Sequence, residues 1–412
     1  MSSGRFIAIL IASMAAAPMA ARADGNAAFL VQGGLPGLTG AGNSASIDQS
    51  GGSDNAAGRA GLTMQQSGLG NTLFLLQTGD RNSTGTAPLA PLPQTGLVQA
   101  SDSASGTNLA QITQRNDDNR VGSLAQIAEG AGLAGFGTGF GNELIVEQGL
   151  AEVAASGGND LGIATQNRSG GVAGNHARLQ QAGAGNRVDE IRQYAAGPAG
   201  ASANSLRLEQ TGDANGLAPL GGEAALTGAL GGHFVQGEAG MVAYGNRLDL
   251  RMVGTGNQAG TIQTGSDNSI GVVLPVLLQG ADNHLGAVQT GTANDLSITV
   301  LGDRNDIGSV QNGVGNGIAI AITPAGSDNR LSIRQDGTDN ALIATLSGDL
   351  NSIGLIQDGT GNSSLFDVLG DLNRIEGKQS GTANEAVVTQ TGTQNSAVFS
   401  QLGGFNSITI NQ

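Results

Sequence analysis

Three histidines are the residues of this chain best suited to metal or acid–base chemistry. His176, His233 and His284 lie far apart in the sequence, in unrelated turn or insertion positions. A zinc site needs three or four convergent ligands, and the chain has no Cys to contribute any. The sequence therefore predicts exposed histidines and no metal site.

A recurring Gly-Asp pair is the second candidate for chemistry. It places Asp303, Asp349 and Asp371 at equivalent points of a repeat. General acid–base catalysis requires carboxylates that converge on one substrate, whereas Asp beside Gly is typical of turns. Charges beside β segments also oppose edge-to-edge pairing. We predict turn residues that solubilise the chain, and no catalytic residue.

One glycine-rich segment fits a nucleotide-binding pattern literally. Gly130, Gly132 and Gly135 form Gly-x-Gly-x-x-Gly, but no strand precedes them and neither a helix nor a downstream acid follows. With 70 glycines in 412 residues, the match is attributed to chance, and no cofactor is predicted. Calcium-binding nonapeptide repeats are also excluded, because their period is nine and the period here is eleven.

The elements around these residues follow from that eleven-residue repeat. From Asn246 to Asn406 an Asn ends a Gly-x-x-Asn frame at intervals of eleven, and the two longer intervals contain Pro275 and Pro324. Proline cannot donate a ladder hydrogen bond, so its confinement to insertions is typical of a strand-turn repeat. Gly and Asn mark the turns because both tolerate positive φ.

A Gln commonly precedes the Asn by five positions, and its alternation with Leu346 and Val368 sets the true period at 22. Stacking at this period places Gln over Gln and Asn over Asn. The predicted ladder consists of Gln335, Asn340, Gln357, Asn362, Gln379, Asn384, Gln390, Asn395, Gln401, Asn406 and Gln412. The predicted turn glycines are Gly337, Gly359, Gly381, Gly392 and Gly403.

Between turns the residues alternate with period two. Asn340, Leu342, Ala344 and Leu346 share one parity, whereas polar residues such as Ser332 take the other, the pattern of a half-buried strand. A buried unpaired amide costs about 1–3 kcal/mol, a cost removed when each amide bonds to its copies above and below. The predicted fold is all-β: a parallel, amyloid-like β-solenoid of 22-residue strand-turn-strand-turn rungs.

Three segments are predicted along the chain. Residues 1–23 have the basic start, apolar stretch and small-x-small site of a secretory signal peptide. Residues 24–245 carry irregular repeats with insertions at 84–98, 130–141 and 216–242, expected to bulge from one edge of the solenoid. Residues 246–412 carry the regular repeat.

Charge and hydropathy restrict the partners. The net charge is −15, with 33 acidic against 18 basic residues, and nucleic acid is bound by the opposite balance. After the signal peptide, no segment approaches the roughly 20 apolar residues that span a bilayer. We predict a secreted, extracellular protein that neither binds nucleic acid nor spans a membrane.

The stretch Gln379-Ser-Gly381-Thr-Ala-Asn384-Glu-Ala386-Val-Val-Thr-Gln390 resembles the curlin repeat, Gln-x-Gly-x-x-Asn-x-Ala-x-x-x-Gln, at every fixed place. The chain is therefore similar to the curlin family of bacterial amyloid subunits, strongly over 246–412 and more weakly over 24–245. The resemblance implies export, assembly into extracellular fibres, and roles in adhesion and biofilm. It also implies as partners like subunits, a surface nucleator and an outer-membrane secretion channel.

Two other functions remain open at the level of sequence. The chain could be a soluble solenoid adhesin whose N-terminal insertions bind a surface or glycan. It could also be an enzyme on a β-helix, which requires clustered carboxylates or basic residues on one face, and no such cluster is visible. The uncapped last half-rung at Gln412 favours the fibre subunit, because uncovered strands recruit other chains.

Overall fold

The computed structural model describes residues 21–23, 25–33, 43–87, 95–101, 107–128, 141–149, 157–272, 274–324 and 326–412. Most of the expected signal peptide and Gly130–Gly135 lie outside these residues. The chain divides into two compact units. Unit 1 comprises Met1–Arg207 and Gly237–Gly245, and unit 2 comprises Leu208–Gln236 and Asn246–Gln412.

The strands that begin in unit 1 are β1 (Ala21–Ala23), β2 (Asn26–Ala28), β3 (Leu30–Gly33), β4 (Ser44–Asp48), β5 (Ala56–Ala57), β6 (Thr63–Ser67), β7 (Thr72–Thr78), β8 (Ser83–Thr84), β9 (Thr95–Ser101), β10 (Asn108–Arg115), β11 (Arg120–Ala128), β12 (Asn142–Gln148), β13 (Asp160–Gly170), β14 (Asn175–Ala182), β15 (Arg187–Gly197) and β16 (Ser205–Thr211). β16 contains the boundary with unit 2. In unit 1, one sheet consists of β4, β7, β10, β12 and β14. The other sheet consists of β1, β2, β3, β5, β6, β8, β9, β11, β13 and β15.

Unit 2 contains α1 (Gly222–Leu226) and the strands β17 (His233–Gln236), β18 (Arg247–Thr255), β19 (Gln258–Ser266), β20 (Ser269–Ile270), β21 (Val276–Ala281), β22 (His284–Thr292), β23 (Asp295–Leu301), β24 (Asp306–Val314), β25 (Gly317–Ile322), β26 (Arg330–Thr338), β27 (Ala341–Ser347), β28 (Ser352–Thr360), β29 (Ser363–Leu369), β30 (Arg374–Thr382), β31 (Glu385–Thr391), β32 (Ser396–Gly404) and β33 (Ser407–Asn411). Its first sheet consists of β17, β19, β22, β24, β26, β28, β30 and β32, and its second sheet of the other strands.

Each unit is a parallel β-solenoid, so the predicted fold class is confirmed. In β27, Leu342, Ala344 and Leu346 are buried while the alternate residues are half-buried or exposed, which is the predicted parity. Strand β28 pairs in parallel with β30, two half-rungs later, with Gln357 opposite Gln379. The apolar and amide side chains of the inward parity fill the space between the two sheets.

The predicted rung of 22 residues holds only in part of the chain. Stacked Gln residues are 22 apart from Gln335 onward and from Gln289 to Gln311, but 24 apart from Gln311 to Gln335 and 26 apart from Gln263 to Gln289. In unit 1 the spacing reaches 40 residues. Twenty-two is therefore the shortest rung, and longer rungs keep the stack by accommodating insertions.

Several insertions replace an outward-facing residue in the middle of a strand. Leu248 pairs with Ile270 and Leu250 with Val276, so residues 271–275 stand opposite Asp249 alone. This insertion contains Pro275, as predicted. An outward position has no partner in the interior, so a loop can leave the strand there without displacing the inward residues on either side.

The predicted insertion 216–242 was expected to bulge from an edge of the solenoid, and its residues 218–232 do not. Instead, α1 and its flanking residues fold back onto the outer face of the first sheet of unit 2. Outward-facing Gln258 and Asp306 are consequently buried, with exposures of 2% and 9%. The prediction fails because this packing depends on contacts between residues far apart in the sequence, which local patterns do not indicate.

The turn glycines provide a stability test. Gly359 has φ +121°, and a Cβ there would lie 2.0 Å from the carbonyl oxygen of Gly381 in the next rung. We expect Gly359→Ala to destabilise unit 2 by at least about 3 kcal/mol, measured by urea unfolding. Gly361, with φ +65° and open space around its Cβ position, is the matched control, for which Ala should cost about 1–2 kcal/mol. Equal costs would contradict this account.

Candidate functional site

The candidate site is the pair of amide ladders in the interior of unit 2. Along the first sheet, Gln335 Nε2 donates to Oε1 of Gln357, Gln357 to Gln379, and Gln379 to Gln401, each at 2.8 Å. These side chains are buried, with exposures between 0% and 6%. Gln335, Gln357 and Gln379 therefore each give one hydrogen bond to the Gln of the following rung and take one from the Gln of the preceding rung, whereas Gln401 only accepts within the ladder.

The Gln also ties its own rung together across the turn. Gln357 Nε2 donates to the carbonyl of Asn362, five residues later, at 3.2 Å, and to the carbonyl of Ala341 at 3.0 Å. Gln263, Gln289 and Gln311 make the same bond to the Asn five positions on. The Gln-x-Gly-x-x-Asn spacing thus lets one side chain satisfy both the turn and the stack.

The Asn ladder runs in the opposite direction. Asn362 donates from Nδ2 at 2.9 Å and from its backbone N at 3.1 Å to Oδ1 of Asn340 in the preceding rung. Asn384 repeats both bonds to Asn362, and Asn406 to Asn384. Gln Nε2 therefore points toward the following rung, while Asn Nδ2 points toward the preceding one.

A second Asn series keeps the backbone hydrogen bond but not the side-chain bond from Nδ2 to the preceding Asn. Asn373 and Asn395 donate backbone N–H groups to Oδ1 of the Asn one rung earlier, at 2.9 and 3.0 Å. Asn373 Nδ2 instead reaches the carbonyl of Gly392 at 2.9 Å. Gly381 likewise accepts from Asn362. Positive φ at these glycines, between +97° and +122°, turns their carbonyls toward an Asn. The residues in this conformation include Gly337, Gly359, Gly381, Gly392 and Gly403.

The second sheet of unit 2 is mixed. Leu346 and Val368 occupy the Gln place and are buried, but Gln390 donates to Oε1 of Gln412 at 2.9 Å. Because Val368 has no donor to offer, Gln390 Oε1 is buried without a hydrogen-bond partner. Gln412 itself is exposed. An amide that stacks on an apolar residue thus loses one bond.

Unit 1 contains ladder residues that the turn-spanning pattern misses. Gln114 joins Gln77 to Gln148 at 2.8 and 2.9 Å, and Gln126 joins Gln99 to Gln166 at 2.8 Å on both sides. Insertions separate most of these residues from the next Gly-x-x-Asn frame. The signal that survives is the spacing of six residues within one strand, from Asn108 to Gln114 and from Asn142 to Gln148.

The residues singled out for chemistry do not converge. His176 Nδ1 lies 2.9 Å from Glu143 Oε2, and His284 lies beside Gly221. Asp303, Asp349 and Asp371 each accept a backbone N–H from the turn one rung earlier. Among the described residues, no group of three or more His, Cys, Asp or Glu could hold a metal ion.

Ion pairs join surface side chains of neighbouring rungs. Arg304 and Asp328 form a bidentate pair between adjacent turns, with N–O distances of 2.8 and 2.7 Å. The hydrogen bond from Arg304 lowers the pKa of the Asp328 carboxyl. Both side chains are largely solvent-exposed, so their contribution to stability is small. No helix of the described residues is long and apolar enough to span a membrane.

Residues 381–412 match the family model described as Curlin associated repeat. The matched stretch contains β31, β32 and β33, the turn glycines Gly381, Gly392 and Gly403, and the hydrogen-bonded pair Gln390 and Gln412. The resemblance to curlin repeats is confirmed there. No curated protein matches the chain.

The ladder predicts a difference between two Gln residues. Gln379→Leu leaves Gln357 Nε2 without its acceptor and Gln401 Oε1 without its donor, so we expect a loss of about 3 kcal/mol or more. Gln390→Leu instead removes a buried acceptor that has no partner, and Gln412, whose Oε1 loses its donor, is exposed to water, so the cost should be about 1 kcal/mol. Urea unfolding of both variants measures the difference. Equal losses would show that the amides act only as space-fillers.

Asp160 in unit 1 predicts a pH effect. It pairs in register with Arg120 and Arg187, yet burial raises the pKa of its carboxyl more than these arginines lower it. A raised folded-state pKa means that stability is gained as pH falls through that pKa and is complete below the unfolded value of 3.8. Asp160→Asn should therefore stabilise unit 1 slightly at pH 7, by less than about 1 kcal/mol, with a smaller difference near pH 4. A difference in unfolding temperature between Asp160→Asn and the unsubstituted protein that grows as the pH falls would contradict this sign.

Proposed function

We propose that the protein is a structural subunit of extracellular, curli-like amyloid fibres that serve cell adhesion and the biofilm matrix. The observation that carries the proposal is the Gln335–Gln401 ladder, in which each rung bonds to the next through the same atoms at the same distance. A contact made between identical rungs of one chain is equally available between rungs of two chains. The curlin repeat at 381–412 supports the same role.

The opposed directions of the two ladders favour filaments over closed assemblies. One face of a rung offers Gln Nε2 and Asn Oδ1, and the other face offers Gln Oε1 and Asn Nδ2. Two copies therefore meet complementary groups only head to tail. A head-to-tail contact that does not close on itself generates an open filament.

The proposed role is structural and not catalytic, and it includes the major, nucleating and minor subunit positions. Its partners would be copies of this chain, other curlin-like subunits, a surface nucleator and an outer-membrane secretion channel. The net charge of −15 would keep free copies apart until they meet a growing fibre.

Fibre diffraction of the purified, incubated chain tests the proposal. We expect reflections near about 4.7 and 10 Å, from strand and sheet spacings. Added salt should shorten the lag before fibres form, because it screens the repulsion between acidic copies. A chain that stays monomeric at all ionic strengths would refute the fibre role and favour the soluble adhesin.

A further inference from the structure

The ladders of unit 2 do not distinguish one rung from the next. From Gln236 to Gln401, successive Gln side chains of the first sheet are joined by bonds of 2.8 to 3.0 Å. A strand that paired one rung too far along would still place Gln over Gln and Asn over Asn. Repeats with nearly equivalent pairings are prone to such register slips.

One segment, residues 218–232, is added to this repeat and can be separated from it. We call it the strap. Gly216 N donates to the carbonyl of Asn257, and Phe234 pairs with Thr261, so the strand continues on both sides of the strap. Without the strap the sequence reads Asn-Gly-Leu-His-Phe-Val-Gln, which is the Asn-x-apolar-x-apolar-x-Gln of a normal rung.

The strap packs against three glycines that pair in register on adjacent strands. A Cβ at Gly260 would lie 2.1 Å from the carbonyl oxygen of Leu230, and one at Gly286 would lie 2.1 Å from that of Ala224. At Gly308 it would lie 2.3 Å from that of Glu223. The next rungs carry, at the same position, Ser332, Gly354, Glu376 and Val398. Three consecutive glycines thus occur at one place only among these paired strands.

Asp306 fixes the strap at that place. Its Oδ2 accepts the backbone N–H of Glu223 at 2.5 Å and its Oδ1 that of Ala224 at 2.9 Å. The residues at the equivalent position of neighbouring rungs are Gln258, His284, Arg330, Ser352, Arg374 and Ser396. Asp306 is the one acidic residue of this column.

We propose that the strap is a register latch, with Asp306 as its positioning residue. It docks only when β17 pairs with β19, because this pairing alone brings the strap over three glycines and one carboxylate. A shift by one rung would place Ser332 beneath the strap and Arg330 opposite the two N–H groups. Ser332 would introduce a β-carbon where a carbonyl oxygen of the strap lies. Arg330 would offer hydrogen-bond donors where the two N–H groups of the strap need an acceptor.

Engineered cysteines can measure the register, because the chain has no Cys of its own. Val235 pairs with Ile262, and Ile262 pairs with Val288, all on the outer face. Val235→Cys with Ile262→Cys should form a disulfide in the native register, and Val235→Cys with Val288→Cys in the shifted one. The full chain is refolded as a monomer under oxidising conditions, and each disulfide yield is measured by mobility on a non-reducing gel.

We expect the native pair to cross-link and the shifted pair to remain largely reduced. Asp306→Asn and Gly286→Ala should each raise the shifted yield severalfold. Gly354→Ala is the matched control, since a Cβ there meets nothing closer than Glu376 Cγ at 3.9 Å. Arg330→Asp with Ser332→Gly builds a second latch site one rung later, with Gly286 and Gly308, and should populate both registers.

Hydrogen exchange at the Glu223 and Ala224 amides reports separately whether the strap is docked. Loss of their protection in Asp306→Asn without any rise in the shifted disulfide would overturn the proposal, leaving the strap as a cover. An unchanged shifted yield in the variant with the second site would overturn it as well. Because the measurement uses monomers, its result is independent of whether the chain forms fibres.

Discussion

The stacked amide ladder is the interaction on which the rest of the structure depends. A Gln side chain buried between two sheets has more donors and acceptors than a single strand can satisfy, so its hydrogen bonds are complete only when the rungs on both sides carry the same residue in register. This requirement fixes the parity of each strand and its pairing. It also fixes the turns: Gly381 must take a φ of +122° so that its carbonyl meets Asn362.

The ladder restricts only the inward residues, which explains how irregular rungs coexist with a regular stack. Residues 271–275 leave the strand at an outward position, as do residues 58–63, which stand opposite Phe29 between two inward pairs. A loop that starts at an outward position removes no side chain from the interior. Rung length in the sequence is therefore a poor guide to regularity, whereas the succession of inward residues is a good one.

This distinction sets how far the sequence predicts the molecule. In 330–412, strand parity follows from the uninterrupted period and is confirmed, and Gln335, Gln357, Gln379 and Gln401 make the hydrogen bonds described above. In unit 1, Gln126 and Gln148 escape the Gln-x-Gly-x-x-Asn pattern because insertions separate them from the next Asn of the frame, and Gln114 escapes it because Asn116 stands at the Gly place. The packing of the strap was also beyond local patterns, since Asp306 lies more than 80 residues after the amides that it binds.

The identical bonds of the ladder hold the rungs together but do not determine which rung pairs with which. Different residues perform these two functions. Cohesion comes from Gln and Asn, which are alike in every rung. The pairing register is determined by positions at which the rungs differ, such as Asp306, whose neighbours in the column are neutral or basic. Gln390 shows that differences inside the ladder are costly, because its Oε1 faces Val368 without a partner. Distinguishing features therefore belong on the outer faces, where water and long-range contacts satisfy them and the interior stack stays continuous.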